Sequence, residues 1–197
     1  MRILLGSKSP RRRELLAGLD IDFEIVDIDA DERFPETLKE GDIPLYISRA
    51  KARAYTHKLG VDDLLVTADT IVWCDGRMLG KPRDAEDAKA MLRLLSGKTH
   101  QVYTGVCLTK QEGEVYSFVC RTDVSFRELD ESEIEYYIER YKPFDKAGAY
   151  GIQEWIGYAG CTSLEGSYFN VMGLPVERLY EALVDRCAVR QAAPDRI

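Results

Sequence analysis

Apolar residues in this chain come in short runs, divided by polar stretches rich in turn residues. Ile3, Leu4 and Leu5 suit a short buried strand over Met1 to Leu5. A helix is predicted to follow from Ser9, since serine favours the N-cap and proline, here Pro10, the first helical position. Leu15, Leu16 and Leu19 give it an apolar face, and Gly18 and Asp20 end it. Phe23 to Val26 predicts a second strand, and residues 27–42 read as an acidic loop. The next helix is expected over about 43–59, with Ile47, Ala50 and Ala54 on one side. Leu64 to Ala68 is a compact apolar strand, and Ile71 to Trp73 carry it into a hairpin turning at Asp75-Gly76. Beyond the break at Lys81-Pro82, Asp84 caps a helix to Leu95 whose inner face is Ala88, Met91, Leu92 and Leu95. Val102–Leu108 and Val115–Arg127 predict two strands joined at Gln111-Glu112-Gly113. Ile134, Tyr137, Ile138 and Tyr141 have helical spacing after Asp130. From Pro143 to Gly166 the chain is Gly-rich and reads as irregular, and a last helix is expected over Pro175 to Arg186.

Strands alternating with helices, and an antiparallel hairpin in the middle, predict an α/β fold: a mixed sheet flanked by helices, in two lobes with a central cleft. One domain is expected over residues 1–187, with a flexible polar tail over 188–197. No apolar run approaches the about 18 residues of a membrane helix, and the apolar start is too short for a signal peptide. The expected location is therefore the cytoplasm. The five cysteines are odd in number and form no C-x-x-C pair, so free thiols are expected. With only His57 and His100 to join them, a zinc site is not.

Charge narrows the function. Lys and Arg total 27 against 34 Asp and Glu, a net charge of −7. An acidic chain lacks the broad basic surface of a nucleic-acid binder. Its cations nevertheless cluster: Lys8 with Arg11, Arg12 and Arg13, then Lys51 with Arg53, then Lys81 with Arg83. Local basic groups on an acidic protein suit a small anion. Three arginines in the first turn of a helix oppose its dipole. A phosphate would compensate, through free backbone N–H groups and the arginine forks; solvation and nearby acids are the competing explanation. Asp69 falls at the carboxyl end of the predicted apolar strand, where α/β sheets gather ligands and catalytic carboxylates. It suits a base or a metal ligand, and equally a turn residue. Lys81, fixed by Pro82, and Lys51, among alanines, suit phosphate contacts or plain solvation. Ser96-Gly97-Lys98-Thr99 only mimics a P-loop: position 92 is leucine and the segment follows a helix, so Gly97 reads as a helix C-cap. No Gly-x-Ser-x-Gly elbow supports a serine nucleophile.

Seven motifs in order carry a resemblance. They are Ser9-Pro-Arg-Arg-x-Glu-Leu-Leu, Lys51-Ala-x-Ala, Ala68-Asp-Thr, Lys81-Pro-Arg-Asp, Ser96-Gly-x-Thr-His-x-Val, Asp145-Lys-Ala-Gly-Ala-Tyr-Gly-Ile-Gln153 and Gly166-Ser-Tyr-x-x-Val-x-Gly-Leu-Pro175. Together they resemble the Maf family of nucleoside triphosphate pyrophosphatases over about residues 3–184. The resemblance implies a fold similar to the inosine triphosphatase-like pyrophosphatases, and hydrolysis of a nucleoside triphosphate to monophosphate and pyrophosphate with Mg²⁺ or Mn²⁺. It implies that Asp69 is the proton acceptor, that Ser9, Arg12, Glu32, Lys51 and Lys81 surround phosphates and metal, and that Glu32 and Asp69 hold the metal. Arg11, Thr70 and Gln153 match the branch similar to dTTP/UTP pyrophosphatases, which implies pyrimidine selection by these residues and a role in cleaning the nucleotide pool. Arg13 is left without a role. The alternatives are the branch acting on 7-methyl-GTP, and a nucleotide-binding regulator of cell division whose hydrolysis is incidental. The resemblance also implies a homodimer, while the acidic charge and the short apolar runs make neither nucleic acid nor a membrane an expected partner.

Overall fold

In the computed structural model, which describes residues 1–189, the run Ile3-Leu4-Leu5 forms β1 (Arg2–Leu5). It is buried between two parallel partners, β2 (Phe23–Ile25) and β3 (Asp63–Cys74). Helix α1 (Pro10–Ala17) starts where Pro10 predicts, with Ser9 in extended backbone at the N-cap but making no side-chain capping bond. Helix α2 (Asp42–Tyr55) ends earlier than expected and passes into a 3₁₀ turn, Thr56–Lys58. The hairpin at Asp75-Gly76 pairs β3 with the short β4 (Arg77–Leu79), and both turn residues have positive φ.

Helix α3 (Ala85–Leu95) is capped by Asp84, whose carboxylate accepts from the Asp87 N–H at 2.8 Å. Gly97 stands just beyond it with φ +69°, as expected of a C-terminal glycine, and the chain enters β5 (Thr99–Lys110). That helix-then-strand order is the reverse of a P-loop. Only Gln111 and Glu112 separate β5 from β6 (Gly113–Phe126), a link short enough for antiparallel pairing alone. Helix α4 (Glu131–Tyr141) begins with a capping box between Asp130 and Glu133. The last helix of the described residues is α7 (Val176–Cys187), after a short α6 (Tyr168–Met172). Among the described residues the sheet has seven strands, in the order β2-β1-β3-β5-β6 and then β7 (Cys161–Glu165), with β4 attached to β3. It is mixed, as predicted: parallel around β1, antiparallel where β3 meets β4 and β6 meets β7.

Two expectations need correction. Asp69 is not at a strand end: β3 runs 12 residues through it to Cys74. Thr70, Ile71 and Val72 are β-formers, so the polar pair Asp69-Thr70 interrupts the apolar run without stopping the strand. The second concerns the stretch from Pro143 to Gly166. It holds a 3₁₀ turn (Ala147–Ala149), helix α5 (Trp155–Gly160) and β7. Strand β7 is mostly exposed, and Cys-Thr-Ser-Leu-Glu has too few apolar residues to show a period of two.

The chain divides into two compact units. The first comprises Met1–Asp69, Thr104–Val119 and the chain from Gly173. Leu4, Ala52, Leu59, Leu65 and Cys107 form a buried cluster in it. The second comprises Thr70–Tyr103 and Cys120–Met172. Its core joins Ala88, Leu92 and Leu95 of α3 to Ile134, Tyr137 and Ile138 of α4, over Val102, Val124 and Phe126 of the strands. The expected tail over 188–197 lies, from residue 190 on, outside the described residues. No helix among the described residues is long and apolar enough to cross a membrane. All five cysteines are free thiols.

Candidate active site

In the first unit the site grows from the packing of α2 on β3. Thr67, fully buried, donates its hydroxyl to the Ser48 carbonyl at 2.8 Å. Gly105 of β5 lets the first turn of α2 come close: a Cβ there would lie 2.4 Å from the Leu45 nitrogen. Ser48 and Lys51 are one turn apart on the helix, so a helix held at Ser48 carries Lys51 over the strand beside Asp69. The Lys51 ammonium donates to Asp69 Oδ1 at 2.8 Å and lies 3.0 Å from Glu32 Oε1. Lys51 and Asp69 are largely buried, with side chains 14% and 15% exposed, whereas Glu32 is 61% exposed. Glu32 comes from the acidic loop, which packs against the end of β1: a Cβ on Gly6 would lie 2.3 Å from Ile28.

Arg12 approaches the same strand from α1. Its Nη1 donates to the Ala68 carbonyl at 2.9 Å, and its Nε to the Gly173 carbonyl at 2.8 Å. The Ser7 hydroxyl accepts from Arg12 Nη1 at 3.5 Å and from the Ser9 N–H at 3.2 Å. Burial pulls the guanidinium pKa below its ordinary value, Asp69 and Glu32 oppose that, and the Arg11 charge adds to it. The fields of Arg11, Glu32 and Asp69 thus meet at Arg12. Of the residues expected around the phosphates and metal, the structure brings Arg12, Glu32 and Lys51 together here with Asp69, the expected proton acceptor, and ties in Ser9 through Ser7.

In the second unit, Thr70 follows Asp69 directly along β3. Lys81 is exposed, next to buried Pro82. Gly80, just before it, accepts at its carbonyl from the Gly148 N–H at 3.0 Å. That bond joins the Lys81 loop to the Asp145–Gln153 segment. Gln153 is partly buried, and its Oε1 is shielded from solvent with no hydrogen-bond partner. An orphaned amide oxygen is costly, and it can accept from an N–H donor.

Lys8, Arg53 and Arg83 of the three clusters are engaged elsewhere. Lys8 pairs with Asp27 and Arg83 with Asp87, all but Asp87 well exposed. Arg53 lies over the Tyr46 ring. Surface pairs of this kind contribute little, and solvation is the right reading of them. His100 is structural: fully buried, with Nε2 2.7 Å from the Tyr150 hydroxyl.

Among the described residues, no group of three or more His, Cys, Asp or Glu gathers as a ready metal cage. The donors that do converge, Asp69 and Glu32 about Lys51, are oxygen donors. One or two carboxylates plus substrate phosphates is how Mg²⁺ is ordinarily held, so these residues fit a divalent cation that arrives with its nucleotide.

Ser7 and the Gly173 carbonyl were beyond sequence reasoning. Ser7 precedes the basic cluster with nothing to distinguish it, and a backbone carbonyl 161 residues from Arg12 leaves no mark in a sequence.

The pattern of the Maf-like protein family matches residues 2–186. The chain belongs to that family. Several relatives of this chain bear the name dTTP/UTP pyrophosphatase. The protein of Phocaeicola vulgatus is 57% identical over 183 residues, 92% of this chain and 94% of its own. That of Bacteroides fragilis is 55% identical over the same shares. That of Porphyromonas gingivalis is 54% identical over 187 residues, 93% of this chain and 94% of its own. Among solved structures, the nucleoside-triphosphatase / dITP/XTP pyrophosphatase of Mycobacterium abscessus reaches a TM-score of 0.40 at 21% identity, covering 66% of this chain and 76% of that one. The fold assignment rests on strand order and register instead. In this Maf-like chain the motif residues Arg12, Lys51 and Asp69 are the same side chains that geometry assembles in the first unit.

Proposed function

We propose that this protein is a nucleoside triphosphate pyrophosphatase that hydrolyses dTTP and UTP to the monophosphate and pyrophosphate, cleaning the nucleotide pool of the cytoplasm. One observation carries it: Lys51 holds Asp69 by a single oxygen, beside Glu32 and within the field of Arg12. Relatives named for this reaction at 53–57% identity support the substrate class. The activity falls within residues 1–187.

In this reading, water attacks the α-phosphorus. Its proton passes to Asp69, the bond from the α-phosphorus to the bridging oxygen breaks, and pyrophosphate leaves. Lys51 orients the Asp69 carboxylate through Oδ1. Arg12, Lys51, Lys81 and the Ser9 hydroxyl bind the phosphates and offset the charge growing on the leaving group. Stabilising that charge is the main source of rate acceleration in phosphoryl chemistry. A divalent cation held by Asp69 and Glu32 supplies further neutralisation of the triphosphate when bound. Gln153, Arg11 and Thr70 select the pyrimidine. For Lys81, Thr70 and Arg11 the support is the likeness of their motifs; for Gln153 the unsatisfied Oε1 adds to it.

Incubation with dTTP, UTP, 7-methyl-GTP and ATP in Mg²⁺ or Mn²⁺, with products separated by ion exchange, tests the proposal. Pyrophosphate and dTMP or UMP are expected. Release of orthophosphate would refute attack at the α-phosphorus, and turnover of 7-methyl-GTP alone would refute the substrate. Sedimentation at several concentrations reads whether the chain forms the homodimer implied by the resemblance.

A further inference from the structure

Gln153 sits in a tight turn. The Glu154 N–H donates to the Gly151 carbonyl at 3.0 Å, closing a four-residue turn with Ile152 and Gln153 at its centre. One side chain staples both ends. Tyr137 of α4, fully buried, accepts at its hydroxyl from the Gly151 N–H at 3.0 Å and donates that hydroxyl to Glu154 Oε2. The other Glu154 oxygen, Oε1, lies 3.0 Å from the ammonium of Lys146, which is itself buried to 9% exposure. Lys146 also reaches Asp145 at 2.8 Å.

The packing leaves no slack around this staple. A Cβ on Gly151 would lie 2.9 Å from Glu154 Cδ and 3.1 Å from Lys146 Cε. A Cβ on Gly157 would lie 1.8 Å from the Ile152 carbonyl oxygen, so α5 presses on the back of the turn. Such a network is costly to build, because it buries a carboxylate and an ammonium. Burying two charges to fix four backbone residues makes sense where the geometry of one of them matters. Ile152 is buried core, and Gln153 is the residue with the unsatisfied amide oxygen.

We propose that Tyr137, Glu154 and Lys146 are positioning residues for Gln153: they lock its turn in one conformation and so preset its amide for the substrate base. The proposal rests on reading Gln153 as the base-selecting residue. The staple touches no phosphate and no reacting atom, so it acts on base binding and not on bond breaking.

The test is a double-mutant cycle with the full chain, measuring kcat and KM for dTTP and for dGTP. Tyr137→Phe keeps the ring in its packing and removes the hydroxyl. Glu154→Gln removes the charge and serves should Tyr137→Phe fold poorly. Each is expected to raise KM for dTTP about tenfold, the worth of one well-placed hydrogen bond, with kcat within about twofold. On a Gln153→Ala background the same changes should have no further effect on KM. Equal effects with and without Gln153 overturn the proposal, because the residues then act by general stability alone; so does a fall in kcat at unchanged KM. A Gln153→Ala enzyme with wild-type KM and wild-type preference for dTTP over dGTP is a separate failure: it sinks the reading of Gln153 on which the staple's purpose depends. Amide exchange of Ile152 and Gln153 supplies a readout apart from turnover. It should quicken in Tyr137→Phe, and unchanged protection means that the hydroxyl holds nothing.

Discussion

His100 offers a quantitative check on how the second unit is held. Its imidazole is fully buried, in edge contact with the rings of Phe126 and Tyr150. Nε2 meets the Tyr150 hydroxyl at 2.7 Å, and Nδ1 is buried with no partner. Burial therefore pushes its pKa down from 6.5 to about 4, against a weak opposing pull from Asp123. The folded state keeps the ring neutral over a range where the unfolded chain takes up a proton. Stability is then lost as pH falls from 6.5 towards 4, where the loss reaches about 3 kcal/mol. The perturbation is His100→Gln, which keeps a polar partner for Tyr150 and does not titrate. Urea denaturation of both proteins at pH 7, 6, 5 and 4.5 reads the effect. Between pH 7 and 4.5 the wild type should lose about 2 kcal/mol more than the variant. Carboxylates held low in the fold behave alike in both proteins and cancel. Glu133, drawn to about 2 by its bond to Arg127, is one; its contribution fades only below 4.5. Parallel pH profiles for the two proteins would refute the reasoning, because they would mean that His100 is protonated or hydrated in the fold.

Three further outcomes follow from the first unit. Asp69→Asn should lower kcat by a factor on the order of 10² to 10⁴ with the thermal midpoint within a few degrees of wild type; turnover within tenfold of wild type would remove Asp69 from the proton transfer. Arg12→Lys keeps the charge but cannot span the Ala68 and Gly173 carbonyls, and should cost about 1 to 3 kcal/mol in denaturant unfolding as a buried acceptor loses its guanidinium donor. Gly105→Ala drives a methyl into the backbone at Pro44 and Leu45, and should cost about 3 kcal/mol while also weakening turnover through displaced α2 and Lys51; wild-type calorimetry and kinetics would show that α2 moves freely on the sheet.

Much of the fold was legible because its core elements announce themselves by period. The apolar faces of α3 and α4 and the runs of β1, β3 and β5 fall where the hydrophobic pattern places them. What escaped was local and polar. Strand β7 takes its position from pairing with β6, Val124 opposite Leu164, and not from an apolar face of its own. The true end of β3 was hidden because Asp69-Thr70 looks like a terminator, although the strand's later residues have a fresh partner in β4, from Val72 onward. The staple around Gln153 was equally silent. Tyr137 reads as one more apolar-face residue of α4, and a glutamate after a glutamine suggests nothing until its carboxylate is seen inside the protein.

The charged residues show why motif spacing could nominate the site without deciding it. Lys8, Arg12, Lys51 and Arg83 all belong to the three short cation clusters of the sequence. Lys8 and Arg83 pair with Asp27 and Asp87 and stand largely in water. There the pairing gains little, and loss of either partner would change little. Lys51 is different, since its side chain is only 14% exposed and its charge is offset by Asp69 and Glu32. Arg12 goes further and commits two donors to backbone carbonyls 56 and 161 residues distant. Burying a charge costs several kcal/mol unless it is paired, and a fold keeps such a cost only where the charge is needed at a set place. Arg12 thereby does two things at once. It braces the strand that carries Asp69, and it keeps a desolvated positive charge beside that carboxylate, where a phosphate would feel it far more strongly than in water.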